Sequence, residues 1–167
     1  LQRGVSKVLI DENYNPKLDN NYVVADMITG YGVASSIQHY YALWGGDLKG
    51  KRVLVQGWGN VGSAAAYYLA QKGAKIVGII DRVGGLISPD GLSFEEVKNL
   101  FINKNGNELA AANMLSYEET NEKFWSTTAD IFIPCAGSRM INEAQLDQLL
   151  AAGVSVISSG ANVPFAD

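Results

Sequence analysis

A short apolar run, Arg52-Val53-Leu54-Val55, breaks into Gln56-Gly57-Trp58-Gly59-Asn60-Val61-Gly62 and then into a helix-patterned stretch over 61–72. Few folds accommodate that junction. A G-x-G-x-x-G fingerprint points to nucleotide binding only where a strand enters it and a helix leaves it, and both flanks are present here. Each glycine has its own task. Gly57 permits the tight turn, Gly59 lets backbone approach a pyrophosphate with no Cβ in the way, and Gly62 lets the helix lie close on the sheet. A helix starting near Asn60 turns unpaired N–H groups and the positive end of its dipole toward that pyrophosphate. The junction therefore predicts a dinucleotide cradle built from Gly57, Trp58, Gly59, Asn60, Val61 and Gly62.

The rest of the chain supplies the layers such a junction needs. Val61, Ala64, Ala65, Tyr68 and Leu69 form one apolar stripe that Gly73 terminates. Ile76-Val77-Gly78-Ile79-Ile80 is continuously apolar, the mark of a strand buried on both faces of a parallel sheet. Asp130-Ile131-Phe132-Ile133-Pro134 reads as a third core strand and 154–158 as the last. Ser93-Phe94-Glu95-Glu96 is a capping box, with Val97 and Phe101 on the core face of its helix. Asn142 and Gln145 cap another, with Ile141 and Leu146 as a hydrophobic staple and Leu149 and Leu150 facing the core. Upstream, Tyr22-Val23-Val24-Ala25 reads as a short strand, and Val33, Ile37, Tyr40, Tyr41 and Trp44 recur at helical spacing before Gly45-Gly46. The turn-rich segment 84–91 reads as an insertion folded into a small hairpin. Strands alternating with helices predict an α/β fold: a Rossmann-type, doubly wound parallel sheet in a single domain. Residues 1–21 form a polar N-terminal segment with no assigned role, and 22–167 form the NAD(P)-binding domain.

Asp81 ends the second strand, nineteen positions beyond Gly62, where a carboxylate meets the adenosine ribose of a bound dinucleotide. It accepts hydrogen bonds from ribose hydroxyls and repels a 2′-phosphate, which favours NAD. Arg82 keeps NADP open, because a guanidinium swung inward is an equally good partner for that phosphate. The plainer alternative is that Asp81 caps a turn and Arg82 lies in solvent.

Composition removes several function classes. Over 167 residues the net charge is −4, with acidic and basic residues interspersed, so no basic stripe suggests nucleic acid as a partner. No apolar run is long enough to span a bilayer, and no signal peptide is visible. A single cysteine forbids an internal disulfide, which makes a cytoplasmic location the expectation. That residue, Cys135, reads as a buried apolar thiol rather than a nucleophile. His39, the one histidine, sits opposite the apolar stripe of its helix and has no second ligand for a metal or partner for a triad. The Trp58 side chain packs on a neighbouring helix in its plainer reading. Tyr40, Tyr41 and Trp44 read as core or inter-domain contact.

Five ordered segments together resemble the cofactor-binding domain of the Glu/Leu/Phe/Val amino-acid dehydrogenases, in their glutamate-dehydrogenase-like branch. They are Thr29-Gly30-Tyr31-Gly32-Val33 opening a helix; Gly46-Asp47-Leu48-Lys49-Gly50-Lys51-Arg52-Val53 leading into the glycine turn; Asp81 with Gly84-Gly85-Leu86-Ile87 and Pro89-Asp90-Gly91-Leu92; Asp130 through Ala136; and Gly160-Ala161-Asn162-Val163-Pro164. The resemblance implies that Gly57 to Gly62 hold the pyrophosphate and Asp81 the ribose. It puts the backbone around Ala136 on the cleft wall, and Thr29 and Asn162 near the nicotinamide. Departures from the family pattern are Tyr31 where arginine is frequent, Ser159 in place of an acidic residue, and Gly137-Ser138-Arg139-Met140 after Ala136. By resemblance the parent enzyme oxidises glutamate or a related L-amino acid to the 2-oxo acid and ammonium, and assembles as a homo-oligomer. The family's catalytic lysine and aspartate lie in a separate N-terminal domain that no segment here matches. No catalytic residue is therefore assigned, and the chain is expected to be the C-terminal cofactor domain of a larger enzyme, inactive alone. The alternatives are a nucleotide-sensing regulatory module and the cofactor domain of a malic-enzyme-like or folate-linked dehydrogenase.

Overall fold

A computed structural model describes residues 2–166. Its centre is a five-stranded sheet in the order β3-β2-β1-β4-β5. The strands are β1 (Arg52–Gln56), β2 (Lys75–Asp81), β3 (Gly84–Leu92), β4 (Ile131–Pro134) and β5 (Val156–Ile157). β1 pairs in parallel with both β2 and β4, and β4 with β5, while β3 lies antiparallel along the outer edge of β2. Among the described residues six α-helices accompany the sheet: α1 (Gln2–Val5), α2 (Val24–Trp44), α3 (Asn60–Gln71), α4 (Phe94–Ile102), α5 (Tyr117–Phe124) and α6 (Glu143–Ala151).

Side-chain alternation divides the core into two layers. Val53, Val55, Ile131 and Ile133 meet residues of α2, α3 and α4 on one face. Leu54 and Phe132 meet Phe124, Trp125 and Leu149 of the α5 and α6 side on the other. In β2 the register against β1 steps from Val53↔Ile76 to Leu54↔Gly78. That bulge resets the phase of the strand, so Ile76 and Ile79 share one layer while Val77 and Ile80 share the opposite one. α2 crosses α3 at Gly30, where a Cβ would come within 2.5 Å of Ala64 Cβ and 2.6 Å of the Val61 carbonyl oxygen. Small residues at this crossing bring α2 down onto the first turn of α3.

Several expectations need correction. Residues 22–25 are not a strand: α2 opens at Val24, the Asp26 carboxylate accepts the Val23 N–H at 2.9 Å, and only an isolated bridge joins Val8 to Val23. The Thr29-to-Val33 segment therefore lies inside α2 rather than at its start. Segment 84–91 is no self-contained hairpin but the body of β3, which uses the open backbone edge of β2 and makes the sheet mostly, not wholly, parallel. β5 is shorter than 154–158, because the Val154 N–H is spent on the Leu149 carbonyl in the turn that ends α6. Leu150 is 55% exposed, and Leu149 alone carries the core contact of that turn. α5 has no counterpart in the expected elements, although Ser116 and Glu119 repeat the capping box of Ser93 and Glu96. The polar N-terminal segment is docked on the helices: Tyr68 Oη donates to the Tyr14 carbonyl at 2.7 Å, and buried Asn15 donates to the Leu9 carbonyl at 2.7 Å.

Candidate functional site

The chain turns out of β1 at Gly57, whose φ of 90° suits glycine and whose N–H donates to the Ile80 carbonyl at 2.7 Å. A Cβ there would lie 2.9 Å from backbone atoms of Cys135 and Ala136, so the turn is wedged between the ends of β2 and β4. At Gly62 a Cβ would run into the Gly57 carbonyl oxygen. Turn and helix are thereby interlocked. Gly59 is different: nothing lies nearer than 3.8 Å to its Cβ position. As N-cap of α3 it supplies no side-chain cap, so no side chain satisfies the first-turn amides that every helix start leaves over.

These features open into a cleft of about 640 Å³. It lies at the C-terminal ends of the parallel strands, where the chain leaves β1 for β2 on one side and later returns from β3 to β4 on the other. Such a switch point is where open α/β sheets bind ligands. Gln56 to Val61 form its floor, Ile80 to Arg82 one wall and Cys135 to Gly137 the other.

Of the residues singled out from the sequence, Gly57, Trp58, Gly59, Asn60, Val61, Asp81, Arg82 and Ala136 line the cleft together. Gly62 stands behind it as the interlock. The Trp58 side chain is fully buried, with its indole N–H donating to the Leu100 carbonyl at 3.2 Å, so this residue offers the cleft backbone only. Thr29 and Asn162 are exposed and lie outside the lining, yet their neighbours converge: Gly30 and Gly160 both pack against Val61.

Asp81 is 9% exposed and accepts the Leu109 N–H at 2.8 Å, so it caps a turn and lines the cleft at once. Arg82 lies in solvent, its side chain 71% exposed, and is paired there, with Nε and Nη2 each 2.7 Å from Glu108 Oε1. Lys104 donates from Nζ to Asn60 Oδ1 at 2.9 Å and to the Gly106 carbonyl at 2.7 Å, fixing the first side chain of α3. Burial lowers its pKa, and the charge of Asp26 opposes that shift. Burial pushes the Cys135 thiol up to about 12, against the pull of a hydrogen bond from the Gly160 backbone, so it stays a neutral wall element at physiological pH. His39 is exposed, and its Nδ1–H donates to the Ser35 carbonyl at 2.8 Å. Among the described residues no cluster of three or more His, Cys, Asp or Glu could hold a metal, and no helix is long and apolar enough to cross a membrane.

Asn107, Tyr117, Trp125, Met140 and Gln145 complete the lining, and sequence reasoning does not single them out as site residues. Tyr117 follows the capping box at Ser116 and Gln145 belongs to the one that starts α6; the others reach the cleft through tertiary packing.

A sequence model of the Glutamate/Leucine/Phenylalanine/Valine dehydrogenase family matches residues 23–167. The chain is 40% identical over 144 residues to the NAD(P)-specific glutamate dehydrogenase of Xylanibacter ruminicola, covering 81% of this chain and 32% of that protein. It is 35% identical over 141 residues to the NADP-specific glutamate dehydrogenase of Saccharolobus shibatae, covering 82% and 31%. Among solved structures, a glutamate dehydrogenase superposes with a TM-score of 0.65 at 28% identity, over 82% of this chain and 32% of that one. The chain thus spans about a third of the length of the curated relatives it matches.

Proposed function

Because the chain belongs to the Glutamate/Leucine/Phenylalanine/Valine dehydrogenase family, we propose that it forms the cofactor-binding domain of an NAD(P)-dependent L-amino-acid dehydrogenase. The domain extends over 22–167, and the polar segment ahead of it meets α3 through the Asn13 and Tyr14 carbonyls. One observation carries the reading: an interlocked glycine turn at the switch point, with its one unobstructed glycine facing a cleft large enough for a dinucleotide.

The chain's own groups suit that ligand. The Gly59 Cα and the uncapped amides of α3 receive a pyrophosphate without steric or polar competition. Asp81 holds the adenosine ribose, and the backbone at Ala136 borders the opposite half of the dinucleotide. Thr29 and Asn162 serve the nicotinamide end from the rim. A dinucleotide held by the backbone of Gly57 to Gly62 and by Asp81 would supply the hydride acceptor for oxidation of an amino acid to the 2-oxo acid and ammonium. We assign binding and orientation to this chain and no proton-transfer group. Glutamate or a related amino acid is the substrate of the whole enzyme, which works as a homo-oligomer in the cytoplasm.

Titration with NADH, read by nucleotide fluorescence, tests this directly. Saturable binding is expected, with Asp81→Ser weakening NAD⁺ by about tenfold through loss of its ribose hydrogen bonds. A chain that binds no dinucleotide at millimolar concentration is not a cofactor domain.

A further inference from the structure

We infer that Glu108 makes this chain select NAD over NADP by holding Arg82 away from a 2′-phosphate. The inference rests on the reading above that the end of β2 receives the adenosine ribose. Of the described residues lining the cleft, Arg82 alone is cationic. It follows the ribose-facing Asp81 directly, where a free guanidinium would grip a 2′-phosphate with paired N–H donors. Two of those donors, on Nε and Nη2, both sit 2.7 Å from one oxygen of Glu108, so that edge of the guanidinium is turned onto a carboxylate of the chain itself.

Glu108 is held at that spot by backbone rather than by its ion pair. Its N–H and carbonyl are both bonded to Asn105 at 3.0 Å. The next residue, Leu109, is 3% exposed, and its N–H is fixed by Asp81 at 2.8 Å. That anchoring lessens the backbone freedom lost on the Glu108 side when the pair forms, while Arg82, 71% exposed, reaches it from solvent. Asp81 precedes Arg82 in the chain and Glu108 pairs with it, so the three side chains set one formal cation against two carboxylates. A 2′-phosphate entering here has to displace a preorganised carboxylate and face a second one. A ribose bearing only hydroxyls meets no such obstacle, because Asp81 spends one oxygen on Leu109 and has the other to offer. Glu108 is thus a positioning residue, acting on the nucleotide through Arg82.

The test is competition against NADH on the full chain, with NAD⁺, NADP⁺, 5′-AMP and adenosine 2′,5′-bisphosphate as probes. The wild-type chain is expected to prefer NAD⁺ to NADP⁺ and 5′-AMP to the bisphosphate. Glu108→Gln should raise affinity for both 2′-phosphorylated probes by about tenfold, the scale of one released charge-assisted contact. NAD⁺ affinity should hold within about twofold, which also reports that the variant is folded. Adding Arg82→Ala to Glu108→Gln should erase the gain, whereas Arg82→Ala alone should leave NADP⁺ affinity nearly unchanged because that guanidinium is already engaged. Preference of the wild type for NADP⁺, an unchanged ratio in Glu108→Gln, or a gain that survives Arg82→Ala would each overturn the inference; the last would mean that Glu108 acts by charge alone. Failure of wild-type chain to bind NADH is a separate outcome. It removes the cofactor-domain reading and the inference with it.

Discussion

The first turn of α3 and the first turns of α4, α5 and α6 face the same deficit of hydrogen-bond acceptors and resolve it in opposite ways. In α4, α5 and α6 the chain closes its own helix starts with reciprocal pairs: Ser93 with Glu96, Ser116 with Glu119, and Asn142 with Gln145. In α3 the N-cap is Gly59, no side chain closes the turn, and the space above it is the cleft. Ser, Thr, Asn or Asp at that position would stabilise the isolated helix. It would also fill the approach and satisfy the amides that an anion needs. The difference teaches that a helix start left open at a switch point is a binding surface, and a closed one is scaffold.

The sharpest way to break this comparison is Gly62→Ala. Its new Cβ has to displace the Gly57 carbonyl, so roughly 1–3 kcal/mol of stability should disappear in urea unfolding, as in other overpacked sites, and NADH binding with it. An unperturbed midpoint would mean that turn and helix are not interlocked. Gly59→Ala should separate binding from folding. With 3.8 Å of clearance, the substitution should change stability by no more than about 1 kcal/mol, yet cost more than about tenfold in NADH affinity. Equal NADH affinity in wild type and Gly59→Ala would show that the ligand does not approach this backbone.

The scaffold side of the comparison predicts the reverse pattern. Ser93→Ala should cost about 1 kcal/mol in thermal or urea unfolding and leave NADH affinity unchanged. The smallest effect is its pH dependence. Hydrogen bonds from the Ser93 hydroxyl and N–H hold the Glu96 carboxyl below its ordinary 4.5. Its ionised form therefore adds stability above that value, and the contribution is lost as the pH falls through the lower folded pKa. The Ser93→Ala penalty should accordingly shrink from neutral pH to about pH 3, a trend that paired urea titrations at the two ends would check.

Much of the site is legible in the sequence because its determinants are local. Gly57 to Gly62 sit within one turn of strand and helix, and the capping residues of α4 and α6 lie three positions apart, so spacing alone reveals them. Where local signals compete, spacing misleads. Tyr22 to Ala25 carries strand-favouring side chains, but the Asp26 carboxylate captures the Val23 N–H and starts a helix instead. The segment carrying Pro89-Asp90-Gly91 is rich in turn formers, yet the open edge of β2 draws it out as an antiparallel strand. Leu150 matches the apolar pattern of α6, and burial of its neighbour Leu149 leaves it facing water.

The sequence by itself determined the strand–turn–helix junction, the alternation of layers and the position of Asp81 at a strand end, since each depends on residues a few places apart. Only the tertiary structure decided what those groups touch. Asp81 meets Leu109 across 28 residues, Arg82 meets Glu108 across 26, and the Trp58 indole finds Leu100 across 42. Loop closure over such distances is settled by packing of the whole sheet and its two helical layers, and no local pattern encodes which side chain arrives.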